Sequence, residues 1–146
     1  MATVVIDTDP GTDDAIALIM ALNSPELDVR GLTTVGGNAR LTHTTANALR
    51  LLDRLGRPRI PVAAGASRPL RGTYEYGYGF HGSGGLTIPL RPVDGGPHAL
   101  RAAEFIIDAG ASVGPDLTLI ALGPLTNVAH ALQRRPELAA QLREIV

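Results

Sequence analysis

The sequence of 146 residues is 45% hydrophobic and 18% charged, which is ordinary for a globular domain and excludes a disordered or fibrous chain. The formal net charge is −1 and no basic run is longer than Arg134-Arg135, so we expect neither nucleic acid nor a membrane surface as a partner. The absence of cysteine excludes disulfides and thiolate metal sites, and no apolar stretch is long enough to span a membrane.

Strand-like and helix-like segments alternate along the chain. Short runs of β-branched and apolar residues predict strands, and longer runs with apolar residues at helical spacing predict helices. In chain order we predict a strand at residues 3–6, a helix at 15–22, a strand at 27–35, a helix at 41–55, a strand at 60–64, a helix at 99–109, a strand at 117–122, a helix at 125–132 and the opening of a strand at 144–146.

This alternation predicts an α/β fold in one domain, residues 1–146, with a Rossmann-like open, mainly parallel sheet and helices on both faces. Ligands of such sheets bind at the carboxyl ends of the strands. Residues 65–97 are rich in Gly, Pro and Tyr and lack periodicity, and an irregular segment of that length is usually functional or disordered.

Four carboxylates stand within eight residues where the first strand gives way to a helix. This segment, residues 7–14, is called the acidic loop and contains Asp7, Asp9, Asp13 and Asp14. Like charges this close repel unless a cation compensates them, and oxygen ligands without Cys or His favour calcium or magnesium over zinc. Helix capping combined with a solvated acidic edge is the alternative that residue chemistry leaves open.

Two other motifs share the Asp-x-Asp opening of the acidic loop. An EF-hand is excluded because its required ligands and glycine are replaced by Gly11, Thr12 and Leu18. A phosphatase of the haloacid dehalogenase type would use Asp7 as its nucleophile. That family also needs a lysine, whereas all 13 basic residues here are arginine, so it is the weaker alternative.

The run 7–17, which reads DTDPGTDDAIA, resembles the signature of the inosine-uridine type nucleoside hydrolases. The similarity continues through further blocks in the same order as in that family. These blocks are residues 33–38, Thr44 with Asn47, residues 60–65, Pro69-Leu70, His81-Gly82 with Gly85-Leu86, and residues 122–127. The resemblance therefore covers nearly the whole chain and implies the nucleoside hydrolase fold.

The resemblance implies hydrolysis of the N-glycosidic bond of ribonucleosides in purine and pyrimidine salvage. It implies Ca²⁺ as the cofactor, bound by Asp9, Asp14 and the backbone carbonyl of Leu122. A calcium-bound water is then the nucleophile, and Asp9 accepts its proton. A bound divalent cation lowers the pKa of water, so the base need not be strong.

Less direct roles follow from the same resemblance. Asp13, Asp14 and Asn38 are expected to contact the ribose or to orient the metal ligands, and Asp7 is expected to brace the loop. His81 is expected to contact the substrate from the long flexible segment. The tyrosines of that segment either stack on the base or are ordinary exposed residues.

Members of this family are about twice as long as this chain, so the resemblance is to their amino-terminal half. A further metal-binding Asp and a His that protonates the leaving base are expected outside these residues. The alternative is therefore a catalytically incomplete fragment, or a binding module of the same fold. We also expect a cytoplasmic protein, since no signal peptide is apparent, and a homodimer or homotetramer in the full-length form.

Overall fold

The computed structural model describes residues 1–146 and contains a five-stranded sheet in which every pairing is parallel. The elements are β1 (Ala2–Thr8), α1 (Thr12–Asn23), β2 (Leu27–Thr34), α2 (Leu41–Arg54), β3 (Val62–Ala64), α3 (Tyr78–His81), α4 (Ala102–Val113), a 3-10 turn (Gly114–Asp116), β4 (Leu117–Ala121), α5 (Thr126–Arg134), α6 (Leu138–Gln141) and β5 (Glu144–Ile145). The strand order is β3-β2-β1-β4-β5. The predicted α/β class with an open parallel sheet is confirmed.

The central strand β1 is buried on both faces. Val5 packs in one apolar cluster with Ile106 of α4 and Leu138 of α6, whereas Val4 and Ile6 pack in a second cluster with residues of α1 and α2. Because successive side chains of a strand point to opposite faces, the two clusters lie on opposite faces of the sheet. Helices therefore cover both faces, as predicted.

The pairing of β1 with β2 contains one irregularity. Val4 pairs with Val29 but Val5 pairs with Gly31, which leaves Arg30 as an extra residue in β2. Arg30 is exposed, while a side chain at Gly31 would collide with the half-buried ring of Phe105 in α4. Beyond this bulge the pairing is regular up to the carboxyl ends of both strands.

The helix boundaries differ from the prediction in ways that have local causes. Helix α1 begins at Thr12 rather than at residue 15, because the Asp14 carboxylate accepts a hydrogen bond from the Gly11 amide at 3.3 Å and caps the first turn. Helix α4 runs on to Val113 and ends at Gly114, whose φ of 67° suits glycine. Helix α6 was not predicted. No helix combines the length and apolar composition needed to cross a membrane.

Candidate functional site

The four carboxylates of the acidic loop have different surroundings. Asp7, Asp9 and Asp14 are buried, whereas the side chain of Asp13 is 76% exposed. Neighbouring helical positions point about 100° apart around the helix axis, so Asp14 turns toward the sheet while Asp13 turns to solvent. The buried acids lie at the carboxyl ends of the strands, as predicted.

Asp9 follows the end of β1 and is enclosed by backbone from two neighbouring strand ends. Its Oδ2 accepts a hydrogen bond of 2.6 Å from the Asn38 amide. A Cβ at Gly123 would stand 2.6 Å from Oδ1, and one at Gly37 would also collide with the carboxylate. Burial and the negative charge of Asp14 raise the pKa of Asp9 to about 7. The main chain at positions 37 and 123 therefore approaches the Asp9 carboxylate so closely that only glycine fits there.

Asp14 and Asn38 are joined to each other beside Asp9. The Asn38 carboxamide donates to Asp14 Oδ2 at 2.9 Å and to the Asp9 backbone carbonyl at 3.2 Å. The hydroxyl of Thr8 donates to Asp14 Oδ1 at 2.7 Å. Burial raises the pKa of Asp14, against the lowering effect of the hydrogen bonds from the Thr8 hydroxyl and the Gly11 amide. The predicted site residues Asp9, Asp14 and Asn38 thus form one constellation.

Asp7 lies inside β1, behind Asp9. Its Oδ1 accepts hydrogen bonds from the Thr33 hydroxyl at 2.5 Å and from the Asn127 carboxamide at 2.8 Å. Oδ2 is buried and has no hydrogen-bond partner. Burial raises the pKa of Asp7 to about 6, and the two hydrogen bonds oppose that rise. Asp7 thus contacts strand β2 and helix α5 and is not exposed, and its bracing role stays a prediction.

The backbone at Leu122 lies next to the acidic loop. Its amide donates to the Asp7 carbonyl at 2.8 Å, and the following Gly123 packs against Asp9. The Leu122 side chain is 42% exposed. The main chain at the end of β4 therefore lies beside the acidic loop, and a metal bond to the Leu122 carbonyl stays a prediction.

His81 is at the end of α3 and is only 5% exposed. Its Nδ1 accepts a hydrogen bond of 3.1 Å from the Thr12 amide, and its Nε2 stands 4.0 Å from Asp13 Oδ1. The ring also packs closely against Gly11 and Gly77. The structure thus brings His81 to the acidic loop as a buried neighbour. Its contact with substrate stays a prediction.

Asn47 also connects the irregular segment that carries His81 to the acidic loop. Asn47 of α2 is buried and donates to the Pro10 carbonyl at 3.1 Å and to the Gly84 carbonyl at 2.9 Å. The hydroxyls of Tyr74 and Tyr78 also have partners, at Thr126 and at the Arg40 amide, 2.9 and 3.0 Å away. Two of the loop tyrosines are therefore anchored by hydrogen bonds.

The donor set fits a hard divalent cation in part. Asp9 and Asp14 are adjacent, buried carboxylates whose mutual repulsion a cation would relieve, and the Leu122 main chain lies beside them. No three His, Cys, Asp or Glu side chains are grouped so that they could hold a metal ion. Residues 1–146 thus offer two carboxylates and one carbonyl toward the six to eight oxygens that calcium takes.

This arrangement of strand ends can be compared with known proteins. The sequence model of the inosine-uridine preferring nucleoside hydrolases matches residues 4–146. The chain belongs to this family. The match displaces the haloacid dehalogenase alternative, which rested only on a strand followed by Asp7 and Asp9.

Individual nucleosidases and nucleoside hydrolases are also similar to this chain in sequence or in structure. A probable uridine nucleosidase 2 of Oryza sativa subsp. japonica is 43% identical over 98% of this chain and 43% of its own length. A plant nucleoside hydrolase structure, PpNRh1, has 42% identity and a TM-score of 0.93, over 99% of this chain and 46% of that one. A purine-preferring ribonucleoside hydrolase from Gardnerella vaginalis has 32% identity and a TM-score of 0.94, over 99% and 47%. The chain spans less than half of the length of each.

Several polar residues of this nucleoside hydrolase chain were not singled out as site residues from the sequence. Thr8, Thr33, Asn47 and Asn127 are buried and hydrogen-bond to the acidic loop or to Asp7. All four stand in the sequence blocks that carried the resemblance, which was the available signal. The burial of their side chains depends on contacts between residues far apart in sequence, which no local pattern reveals.

Proposed function

We propose that the protein that carries this chain hydrolyses the N-glycosidic bond of ribonucleosides to ribose and free base, with calcium as its cofactor. The observation that supports this most is the grouping of Asp9, Asp14 and Asn38 at the end of β1, in a chain of the nucleoside hydrolase family. The substrate class is that named for the relatives, and the choice between purine and pyrimidine bases is not part of the proposal.

In the proposed reaction, one Asp9 carboxylate oxygen accepts a proton from a water molecule. The water oxygen forms a bond to C1 of the ribose while the bond from C1 to the base nitrogen breaks. The electron pair of that bond leaves with the base, which takes up a proton from solvent. Asp9 then returns its proton to solvent, so that the net reaction consumes one water molecule. The transition state carries positive charge on the ribosyl ring, which neighbouring carboxylates and amide oxygens stabilise.

The chain's own residues hold the reacting groups in place. Asp9, Asp14 and the Leu122 carbonyl would hold calcium, which when bound supplies the positive charge that lowers the pKa of a neighbouring water. Asn38 keeps the two carboxylates in register through its amide and its carboxamide. The exposed side chain of Asp13 is the proposed contact for the ribose hydroxyls. The buried His81 lies next to it, on the side of the protein interior.

The test is base release from uridine and inosine by the complete gene product with millimolar calcium. Asp9→Asn should lower kcat by roughly two or more orders of magnitude, because an amide cannot accept the proton. Asp53→Asn is the matched control, since Asp53 is an exposed carboxylate on α2 and should leave kcat unchanged. Calcium affinity is measured for each variant, because Asn can still act as an oxygen ligand.

The outcomes separate the proposal from its alternatives. Nucleoside binding without any base release would favour a binding module of the same fold. Base release at the parental rate by an Asp9→Asn variant that still binds calcium would refute the role of Asp9. Base release that is unaffected by a calcium chelator would refute the cofactor.

Assembly and location are further parts of the proposal. We propose a homodimer or homotetramer in the cytoplasm. The apolar side chains of Ile16, Met20 and Ile88 are exposed, and exposed apolar side chains are a common feature of subunit interfaces. Light scattering after size-exclusion chromatography would reveal a monomer if this assembly is wrong, and imaging of a fluorescent fusion checks the location.

A further inference from the structure

The carboxamide of Asn127 joins three strand ends. Asn127 lies in the first turn of α5 and is 1% exposed. Its Nδ2 donates to Asp7 Oδ1 at 2.8 Å and to the Thr34 carbonyl at 2.9 Å, while its Oδ1 accepts from the Ala66 amide at 2.8 Å. These partners belong to the ends of β1 and β2 and to the turn that follows β3.

The partners of Asn127 are connected to the residues that hold Asp9. The Gly36 amide donates to the Ala66 carbonyl at 2.9 Å, and the Val35 amide donates to the Thr8 carbonyl at 3.1 Å. The next residues after Gly36 are Gly37, which packs on the Asp9 carboxylate, and Asn38, whose amide donates to it. A shift of the β2 end would therefore move the donor that fixes the Asp9 carboxylate.

Only a carboxamide satisfies this set of partners. The position requires two N–H donors and one acceptor at the end of a short side chain, which excludes Asp, Ser and Leu. The fit is also tight, because a Cβ added at Gly65 would approach Asn127 Cγ to 2.5 Å. With Oδ2 of Asp7 already unpartnered, loss of Asn127 would leave the buried Asp7 with Thr33 as its remaining side-chain partner.

We propose that Asn127 is a positioning residue of the reaction, which acts by holding the ends of β1, β2 and β3 together so that the Asn38 amide stays aligned with the Asp9 carboxylate. The proposal rests on the function proposed above for Asp9. Asn127 touches neither the substrate nor the reacting atoms. Its effect reaches them through Asp7, Thr34 and the turn at Ala66.

The structural part of the proposal is tested by NMR on the 146-residue chain, through the amide resonance of Asn38. Asn127→Asp places two carboxyl groups against each other and should shift that resonance. Gly65→Ala keeps Asn127 but displaces its carboxamide, and should shift it in the same way. Val128→Ala is the matched control, because Val128 is the next residue of α5, is buried in the apolar core and has an apolar side chain that makes no hydrogen bond. It should leave the Asn38 amide unchanged.

The catalytic part is tested on the complete gene product with uridine and inosine. Asn127→Asp should lower kcat by about 10–100-fold with little change in KM, as expected when a supporting residue misplaces a reacting group. Adding Asp7→Asn should restore part of kcat, because an amide at position 7 can donate to the carboxylate at position 127. A Val128→Ala variant of similar stability should keep kcat.

Different results would contradict the proposed function and the positioning role of Asn127. If the parent enzyme releases no base, the proposed function is wrong and the Asn38 resonance alone decides the positioning role. If the Asn38 resonance is the same in Asn127→Asp, Gly65→Ala and Val128→Ala, the positioning role is wrong even in an active enzyme. Should Asn127→Asp fail to fold, the Gly65→Ala resonance decides. Equal losses of kcat in Asn127→Asp and Val128→Ala would indicate a role in stability alone.

Discussion

Polar side chains are buried at the carboxyl end of the parallel sheet and exposed at its amino end. At the carboxyl end, Asp7, Thr33 and Asn127 are buried, and Thr33 and Asn127 both donate hydrogen bonds to Asp7. At the amino end, Asp28 and Arg30 form an ion pair of 3.3 Å whose side chains are 36% and 57% exposed. Burial of polar groups costs free energy unless each finds a partner. The carboxyl end maintains that costly arrangement, and it is the end at which the reaction is proposed to occur.

Recesses occur at both ends of the sheet. One of about 520 Å³ lies at the amino end, bounded by the starts of β1 and β2 and by the turn after α2. Another of about 770 Å³ lies on the carboxyl side, between the start of α2 and residues 67–76. The presence of a recess therefore does not distinguish the two ends, whereas buried and mutually paired polar groups occur at the carboxyl end.

The largest expected difference between the two ends is in calcium affinity. Asp14→Ala in the complete gene product should weaken calcium binding by at least about 100-fold, since loss of a direct ligand should exceed the 10–100-fold cost of losing an outer-shell partner. Asp28→Ala, which removes an exposed carboxylate at the amino end, should leave the affinity unchanged. Isothermal titration calorimetry measures both. Equal affinities in the two variants would place the metal elsewhere.

A smaller difference is expected for the same substitution made at each end of the sheet. Thr33→Val removes the hydroxyl that donates to Asp7 and should lower the free energy of unfolding by about 1.5–3 kcal/mol. Thr3→Val, at the partly exposed start of β1, should change it by no more than about 0.5 kcal/mol. Urea denaturation of the 146-residue chain compares them. Similar values for both would mean that the Thr33–Asp7 hydrogen bond adds no stability.

The smallest expected difference in the free energy of unfolding concerns two histidines whose Nδ1 accepts a hydrogen bond from a backbone amide. His81 accepts from Thr12 in a buried place, whereas His98 accepts from Leu100 at the surface. His81→Ala should lower the free energy of unfolding by about 1–2 kcal/mol, because the lost contacts are buried. His98→Ala should change it by less than about 0.5 kcal/mol. A larger loss of stability for His98→Ala would show that burial does not determine how much this hydrogen bond contributes to the free energy of unfolding.

The sequence was sufficient for those features that depend on local patterns. Alternating strands and helices predicted the parallel sheet, and the spacing of Asp9 and Asp14 at a strand-to-helix junction predicted that both lie at its carboxyl end. The presence of helices on both faces follows from the same pattern, whereas the strand order β3-β2-β1-β4-β5 was not predicted. The precise helix ends were missed where a cap or a glycine, rather than periodicity, determines them.

Features that depend on distant contacts could not be obtained in this way. His81 was expected in a flexible segment, yet it is buried because the Thr12 amide, 69 positions away, donates to it. Asn127 reaches Asp7 across 120 positions. The different exposures of Asp13 and Asp14 depend on where α1 begins, which is set by the cap at Gly11 and not by the apolar pattern.

The extra residue in β2 determines which side chains meet at the carboxyl ends of β1 and β2. If Arg30 did not bulge out of the pairing, an unbroken register from Val4 onward would bring Leu32 beside Asp7, whereas the observed pairing brings Thr33 there. The bulge thus gives Asp7 a hydroxyl neighbour in place of an apolar one, while the amino-terminal half of the strand pair keeps its register. Because Arg30 is exposed, the sheet absorbs this extra residue at its surface, and the polar pairing at the other end of the two strands depends on it.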